Sequence, residues 1–281
     1  MGILNHKIDF VALLAVNMAN SNGDPLNGNR PRTDYSGFGE ISDVCVKRKI
    51  RNRMQDLGQS IFVQSDERCG DGFGSLSERA SATLGKIRSK DEYAQKACET
   101  WLDVRSFGQV FAFKANEKGG VSVGVRGPVS IHQAVSLDPV DVVSMQITKS
   151  VNSEPSEKKS SDTMGAKHFV RFGLYKLKGS INVQLAEKTG FTEEDALIVK
   201  ECLRSLFLND ASSARPEGSM EVVKLYWFDH NCKDGQYSSA RVHRSVQASL
   251  REGIDVPASA DDYAITLEQL EGLSPEIIDG V

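Results

Sequence analysis

Aromatic residues make up only 7% of this 281-residue chain, and most sit where core residues are expected. That scarcity argues against any recognition that relies on rows of exposed rings stacking on bases. Cysteine is sparse too: Cys45, Cys69, Cys98, Cys202 and Cys232 are odd in number, widely spread and never in a CxxC pair. A zinc site is therefore not expected, and reduced thiols of a cytoplasmic protein are the default. No apolar run approaches the roughly 18 residues a membrane helix needs, so no membrane partner is expected. Residues 1–16 show no charged region followed by an apolar block and a cleavage site, so no secretory signal is expected. There is no GxxxxGK[ST], no GxSxG and no HExxH, and the five histidines are scattered. The sequence offers no catalytic constellation, no metal-ligand set, no cofactor fingerprint and no internal repeat.

Hydrophobic residues at 40% and charged residues at 26% suffice for a folded core. The net charge of −4 argues at first against a polyanionic partner. The charge is segregated, however. After Arg251 there is no Lys or Arg, while Glu252, Asp255, Asp261, Asp262, Glu268, Glu271, Glu276 and Asp279 follow. That acidic end is a solvated surface, or one that repels nucleic acid or meets a basic partner.

Four segments have strand character. Residues 8–16 are nearly continuous apolar, as in a central strand covered on both faces. Residues 121–125 and 174–185 alternate, and 221–228 (EVVKLYWF) is rich in β-branched and aromatic residues. Two helices are signalled. One starts at the N-cap Ser42, with Asp43 in its first turn and a stripe of Val46, Ile50, Met54 and Leu57. The other starts at Thr192, with Asp195 completing a capping box, a stripe of Ala196, Val199, Leu203, Leu206 and Phe207, and an end at Asn209-Asp210. Strand, helix, strand, strand, helix, strand is the split βαβ, ferredoxin-like order. Two long insertions interrupt it, at about 57–120 and 131–169. The second holds VNSEPSEKKSSDT, whose composition disfavours packing.

The most informative stretch is 17–53, NMANSNGDPLNGNRPRTDYSGFGEISDVCVKRKIRNR. Asn20, Asn22, Asn27 and Asn29 can donate and accept hydrogen bonds, Gly23 and Gly28 allow close backbone approach, and Arg30 and Arg32 bracket a stiffening proline. The loop is either an ordinary set of Asx turns or a cradle for a nucleic-acid backbone. In the helix that follows, Lys47, Arg48, Lys49, Arg51 and Arg53 put five bases in seven residues with no acid among them. Such charges repel at i,i+4, and a polyanion would remove that cost, although cationic side chains also snorkel round a core.

Three later segments add to this. DVRSFGQVFAF (103–113) reads as strand or turn with Gly108 at its tight point. VGVRGPVS joins a strand to a Gly-Pro turn carrying Arg126. MGAKHFVRFGLY (164–175) brings Lys167, His168 and Arg171 together, with Met164 near a tip, where it fills a local gap or wedges between bases. Asp24 and Asp34 lie in the first loop. Asp24 before a proline reads most simply as a turn residue, but a metal-dependent endoribonuclease using either carboxylate is the alternative enzyme reading.

Taken together, NSNGDPLNGNRPRTDYSGFGEISDVCVKRKIRNR, DVRSFGQVFAF, VRGPVS, QITKSV and MGAKHFVRFGLY resemble, in order and over nearly the whole chain, the backbone subunit of the subtype I-C CRISPR surveillance complex (Cascade). The resemblance implies an α+β fold: a ferredoxin-like, RRM-like palm of the RAMP type (1–57, 121–144 and 170–281), a helical finger insertion (58–120) and a β-hairpin thumb (145–169). It implies a non-catalytic subunit, without cofactor or metal, that stacks with further copies of itself along a guide RNA in antiviral defence. Its other partners would be a target DNA strand paired to the guide, the subunit capping the guide 5′ end, the large and small subunits, and a separate helicase-nuclease. Carried onto this chain, the RNA contacts would be Asn20, Asn27, Asn29, Arg30, Arg32, Lys47, Arg48 and Arg51 in the palm. Ser106, Gly108 and Gln109 would add to them, with Met164 and Lys167 on the thumb. Such a subunit should hold the backbone and leave base edges free to pair.

Overall fold

The near-continuous apolar run at 8–16 becomes the buried length of strand β1 (Ile8–Ala19), the centre of the molecule. The computed structural model describes residues 2–85, 87, 89–112, 122–148 and 164–281. In β1, successive side chains point to opposite faces, and both faces are covered. Phe10, Ala12, Leu14 and Val16 pack with the helix stripes Val46/Ile50/Met54 and Val199/Leu203/Leu206. Val11, Leu13 and Ala15 pack on the other side with Val242, Val246, Tyr263 and Leu273. Each Val, Leu or Phe of this run contributes about 1.5–3 kcal/mol when fully buried, and its one charged residue, Asp9, is buried against His230 at 2.9 Å and Lys7 at 3.0 Å.

The central sheet is mixed with helices and antiparallel throughout. β1 lies between β10 (Met164–Ile181) and β11 (Met220–Asp229). Beyond β11 lies β14 (Glu276–Asp279), and beyond β10 lie β8 (Ala134–Pro139) and β4 (Phe38–Ile41). β7 (Val129–Ile131) and β9 (Val142–Thr148) pair with the two ends of β10. Helix α1 (Asp43–Asp56) begins where Ser42 accepts from the Cys45 N–H. Thr192 and Asp195 form the expected capping box ahead of α6 (Glu193–Arg204).

Several expectations shift. The strand looked for at 121–125 is described from 122 as β6 (Ser122–Arg126). It pairs with β5 (Gly108–Ala112) in a separate two-stranded sheet, and β7 and β8 take the place beside β10. Pro128, lacking an N–H, breaks the ladder between β6 and β7. The strand looked for at 174–185 starts at Met164 and stops at Ile181, because the Asn182 side chain accepts from the Leu185 N–H and opens α5 (Val183–Thr189). Leu57 caps α1 and is 39% exposed, so it is not part of the buried stripe. α6 ends at Arg204, ahead of Asn209, although Leu206 still buries its side chain. Residues 102–107 are helical (α4, Leu102–Phe107), and only after Gly108 does the chain run as a strand. Between α1 and α4 come α2 (Leu76–Leu84) and α3 (Lys90–Thr100), which with β5 and β6 enclose a third core around Phe62, Trp101 and Phe111. The stretch 151–163 lies outside the described residues.

Candidate nucleic-acid interface

The loop after β1 is folded by its own amides. Met18 at the end of the strand and Asn29 both take positive φ, 50° and 58°, and Gly28 matches at 58°. Asn20 is buried; its backbone N–H donates to Ala214 O, and its Nδ2 donates to Asn29 O at 2.7 Å. Asn22 Oδ1 accepts from the Ser42 N–H at 2.9 Å, tying the loop to the start of α1. A Cβ at Gly23 would fall 2.0 Å from Asn29 Oδ1, so a side chain there would displace the Asn29 amide. Asn20 and Asn22 therefore shape the loop, while Asn27 and Asn29 stay exposed and Arg30 and Arg32 half-exposed.

The two loop carboxylates serve turns. Asp24 accepts from the Leu26 N–H at 3.2 Å and pairs with Arg32 at 3.3 Å. Asp34 accepts from the N–H groups of Ser36 and Phe38 at 2.8 and 2.9 Å. No group of three or more His, Cys, Asp or Glu side chains suited to a metal occurs among the described residues.

The acids that pair with the basic stretch come half from the two ends of α1 itself, Asp43 and Asp56, and half from elsewhere in the fold, Asp103 and Asp210. Arg51 Nε donates to Asp103 Oδ2 at 2.8 Å and its guanidinium lies over Phe107. Lys49 pairs with Asp210, and Arg53 pairs with Asp56 at 2.6 Å and donates to Ser205 Oγ at 3.1 Å. Lys47 pairs with Asp43 one turn back at 2.9 Å, and Arg48 donates to Val63 O at 2.7 Å. Burial pushes the Lys49 ammonium below the usual lysine range, opposed by Asp210. Desolvation, with Arg51 adding repulsion, also lowers the Arg48 pKa. The mutual repulsion of these cations is thus relieved inside the protein.

The hairpin of β9 and the start of β10 carries the two remaining residues of interest. Lys167 pairs with Met145 and Gly165 with Ile147, so these four share one face. Met164, opposite Thr148, lies on the other face with Gln146, whose Nε2 donates to Met164 Sδ. Residues three apart in a strand point oppositely, so Met164 and Lys167 address different surfaces.

Lys167 Nζ donates to Ser213 O at 2.9 Å, closing the hairpin face onto the loop after α6. Between them and the first loop lies a cleft of about 350 Å3, lined by Met18, Asn20, Gly28, Asn29, Met145, Lys167 and His168 together with Ser213, Ala214 and Pro216. The fold thus brings Asn20, Asn29 and Lys167 together, with Asn27, Arg30 and Arg32 on the same loop. Lys47, Arg48, Arg51, Ser106, Gly108 and Gln109 do not line that cleft. Arg51 meets α4 through Asp103 and Phe107, Lys47 stays on its own helix with Asp43, Ser106 is fully buried, Gln109 Nε2 donates to Val110 O, and Gly108 (φ 80°) turns the chain against Val125 O. The 210–216 loop was missed by sequence reasoning; its signal was a run of small and turn-forming residues, DASSARP, between a helix and a strand.

The family model described as CRISPR-associated protein Cas7 matches residues 6–268. A CRISPR-associated protein Cas7 of Haloferax volcanii (strain DS2) is 25% identical over 274 residues, covering 89% of this chain and 79% of that protein. Among solved structures, a chain of a "CRISPR RNA-guided surveillance complex, pre-nicking" is similar in fold, with a TM-score of 0.54 at 17% identity over 89% of this chain and 84% of that one. No helix among the described residues is long and apolar enough to cross a membrane.

Proposed function

This chain belongs to the CRISPR-associated protein Cas7 family, and from that premise we propose that it is the guide-RNA-binding backbone subunit of a type I-C surveillance complex. It holds the phosphate backbone of the guide, stacks with further copies along it, and leaves the bases free to pair with target DNA. The capping, large and small subunits and a helicase-nuclease complete the assembly in this reading. The observation that carries it is the cleft joining the first loop to the hairpin. Its polar lining is the amides of Asn20 and Asn29, Lys167, His168 and Ser213, and Arg30 and Arg32 stand on the adjoining loop. Those groups suit sugar and phosphate rather than base edges.

The strand order β11-β1-β10-β8, with α1 and α6 packed together on one face, supports reading residues 1–57, 121–144 and 170–281 as a ferredoxin-like palm. The separate core around Phe62, Trp101 and Phe111 supports a finger unit within 58–120, and the β9–β10 hairpin supports a thumb. The hairpin then has a use in a filament: Lys167 turns to its own cleft, while Met164, exposed and outside that cleft's lining, is presented toward the RNA of a neighbouring copy. The subunit is proposed to be non-catalytic, since Asp24 and Asp34 are both engaged in turns.

RNA released from the purified assembly tests this. A discrete species of uniform length is expected, and Arg30→Glu with Lys167→Glu should lose it while the monomer still folds. Cleavage of complementary RNA with Mg2+, abolished by Asp24→Ala or Asp34→Ala, would replace this reading with the endoribonuclease one.

A further inference from the structure

At the opposite end of the β1–β10 ladder lies a larger cavity that the guide cleft does not use. β10 pairs Val170 with Ala19 at the cleft end and Ile181 with Ile8 at the far end. Eleven residues of strand separate those pairs by roughly 35 Å. Just past Ile181, α5 packs beside β6 and α3 and leaves a cavity of about 560 Å3. Its size falls in the range of about 300–1,000 Å3 typical of small-ligand pockets.

The lining has two characters. Arg126 and Lys188 are both exposed, and neither has an ion-pair partner among the described residues. Among the described residues the cations of α1, by contrast, are mostly paired. One carboxylate, Asp91, faces the same space, so the lining keeps a net positive charge. Leu185 and Val125 supply an apolar wall. Thr189, 7% exposed, also lines the cavity, and its Oγ1 has no hydrogen-bond partner. That oxygen is itself shielded from solvent, so its missing partner is a cost that the fold carries behind the cavity wall.

We propose that this cavity is a second nucleotide site, in which Arg126 and Lys188 hold the phosphate of one nucleotide unit and its base lies against Leu185 and Val125. A guanidinium offers the paired donors that phosphate oxygens accept, an ammonium adds a point charge, and the apolar wall takes a base face without reading its edges. The site does not depend on the guide cleft, whose residues are elsewhere.

Equilibrium dialysis of the full chain with UMP tests it, using uridine as the phosphate-free control. The wild type should retain one equivalent of UMP and bind uridine at least tenfold more weakly. Arg126→Gln with Lys188→Gln should weaken UMP at least tenfold with an unchanged melting temperature. Arg30→Gln with Lys167→Gln, at the guide cleft, should leave UMP binding intact. In that cleft variant, a twelve-residue oligouridylate that displaces UMP identifies the occupant as part of a strand. UMP retained against the oligomer identifies a free nucleotide. No UMP binding by the wild type, equal binding by the Arg126/Lys188 variant, or loss in the cleft variant alone would overturn the proposal.

Discussion

Arg51 Nε donates to Asp103 Oδ2 at 2.8 Å, and the accepting carboxylate has no exposed surface. Asp103 also accepts from the N–H groups of Phe62 and Val63 at 2.6 and 3.1 Å. One buried carboxylate thus ties α1 to α4 and to the chain between them. The charge of Arg51 is spent on that tie before any ligand arrives.

Removing one partner of such a buried pair costs about 3–5 kcal/mol. Asp103→Ala should therefore lower the urea midpoint strongly, and more than Arg51→Ala, because it also orphans two backbone N–H groups. Arg51→Glu should unfold the region by setting two carboxylates together. Normal stability in these variants would return Arg51 to the list of free phosphate ligands.

Lys167 and Arg30 should behave differently. In the proposed reading each meets a phosphate, and each single-strand contact contributes about 0.7 to the slope of log affinity against log salt. Alanine at either position should flatten that slope by about this amount, in titrations with a labelled single-stranded RNA, without moving the melting temperature.

Gly108 takes φ 80° and ψ 170°, and an added Cβ would lie 2.3 Å from Val125 O. That backbone conformation alone costs a side chain about 1–3 kcal/mol. Gly108→Ala should destabilise the β5–β6 ribbon and lower the unfolding midpoint, although the residue never touches the cleft.

Lys176 donates to His243 O at 2.7 Å and to Val246 O at the end of α7 (Ser239–Ser245). Burial, with Lys178 adding repulsion, pulls its pKa down to about 8. An unfolded lysine titrates near about 10.4. The folded pKa is depressed, so the contribution is fully present above about 10.4 and is lost as the pH falls through that window toward 8. The melting temperature of the wild type, measured against Lys176→Met, should climb between pH 8 and 10. A constant difference would show that Lys176 keeps its charge in the fold.

The sequence was most legible where one local rule decided the outcome. A run of 8–16 that is apolar except for Asp9 reads as a strand covered on both faces, and β1 is one. Ser42 and the Thr192–Asp195 box marked their helices because capping is settled within three residues. What stayed hidden was set by distant partners. Two of the acids that pair with α1 cations lie 52 and 161 residues away, at Asp103 and Asp210, while the other two, Asp43 and Asp56, sit at the ends of the helix itself. Whether 122–126 or 129–139 flanks β10 depended on where Pro128 broke the ladder. The cleft needed the 210–216 loop, which carries no motif. The opposite facing of Met164 and Lys167 follows from parity once β10 is known to begin at Met164.

The central claim, that an RNA strand runs between the first loop and the hairpin, is tested most directly by photo-cross-linking. Assemblies purified with 4-thiouridine-labelled guide RNA would be digested and the cross-linked peptides identified by mass spectrometry. Adducts should concentrate in peptides covering 18–32, 164–169 and 211–216. Adducts confined to the acidic region beyond Arg251, with none in those three peptides, would contradict it.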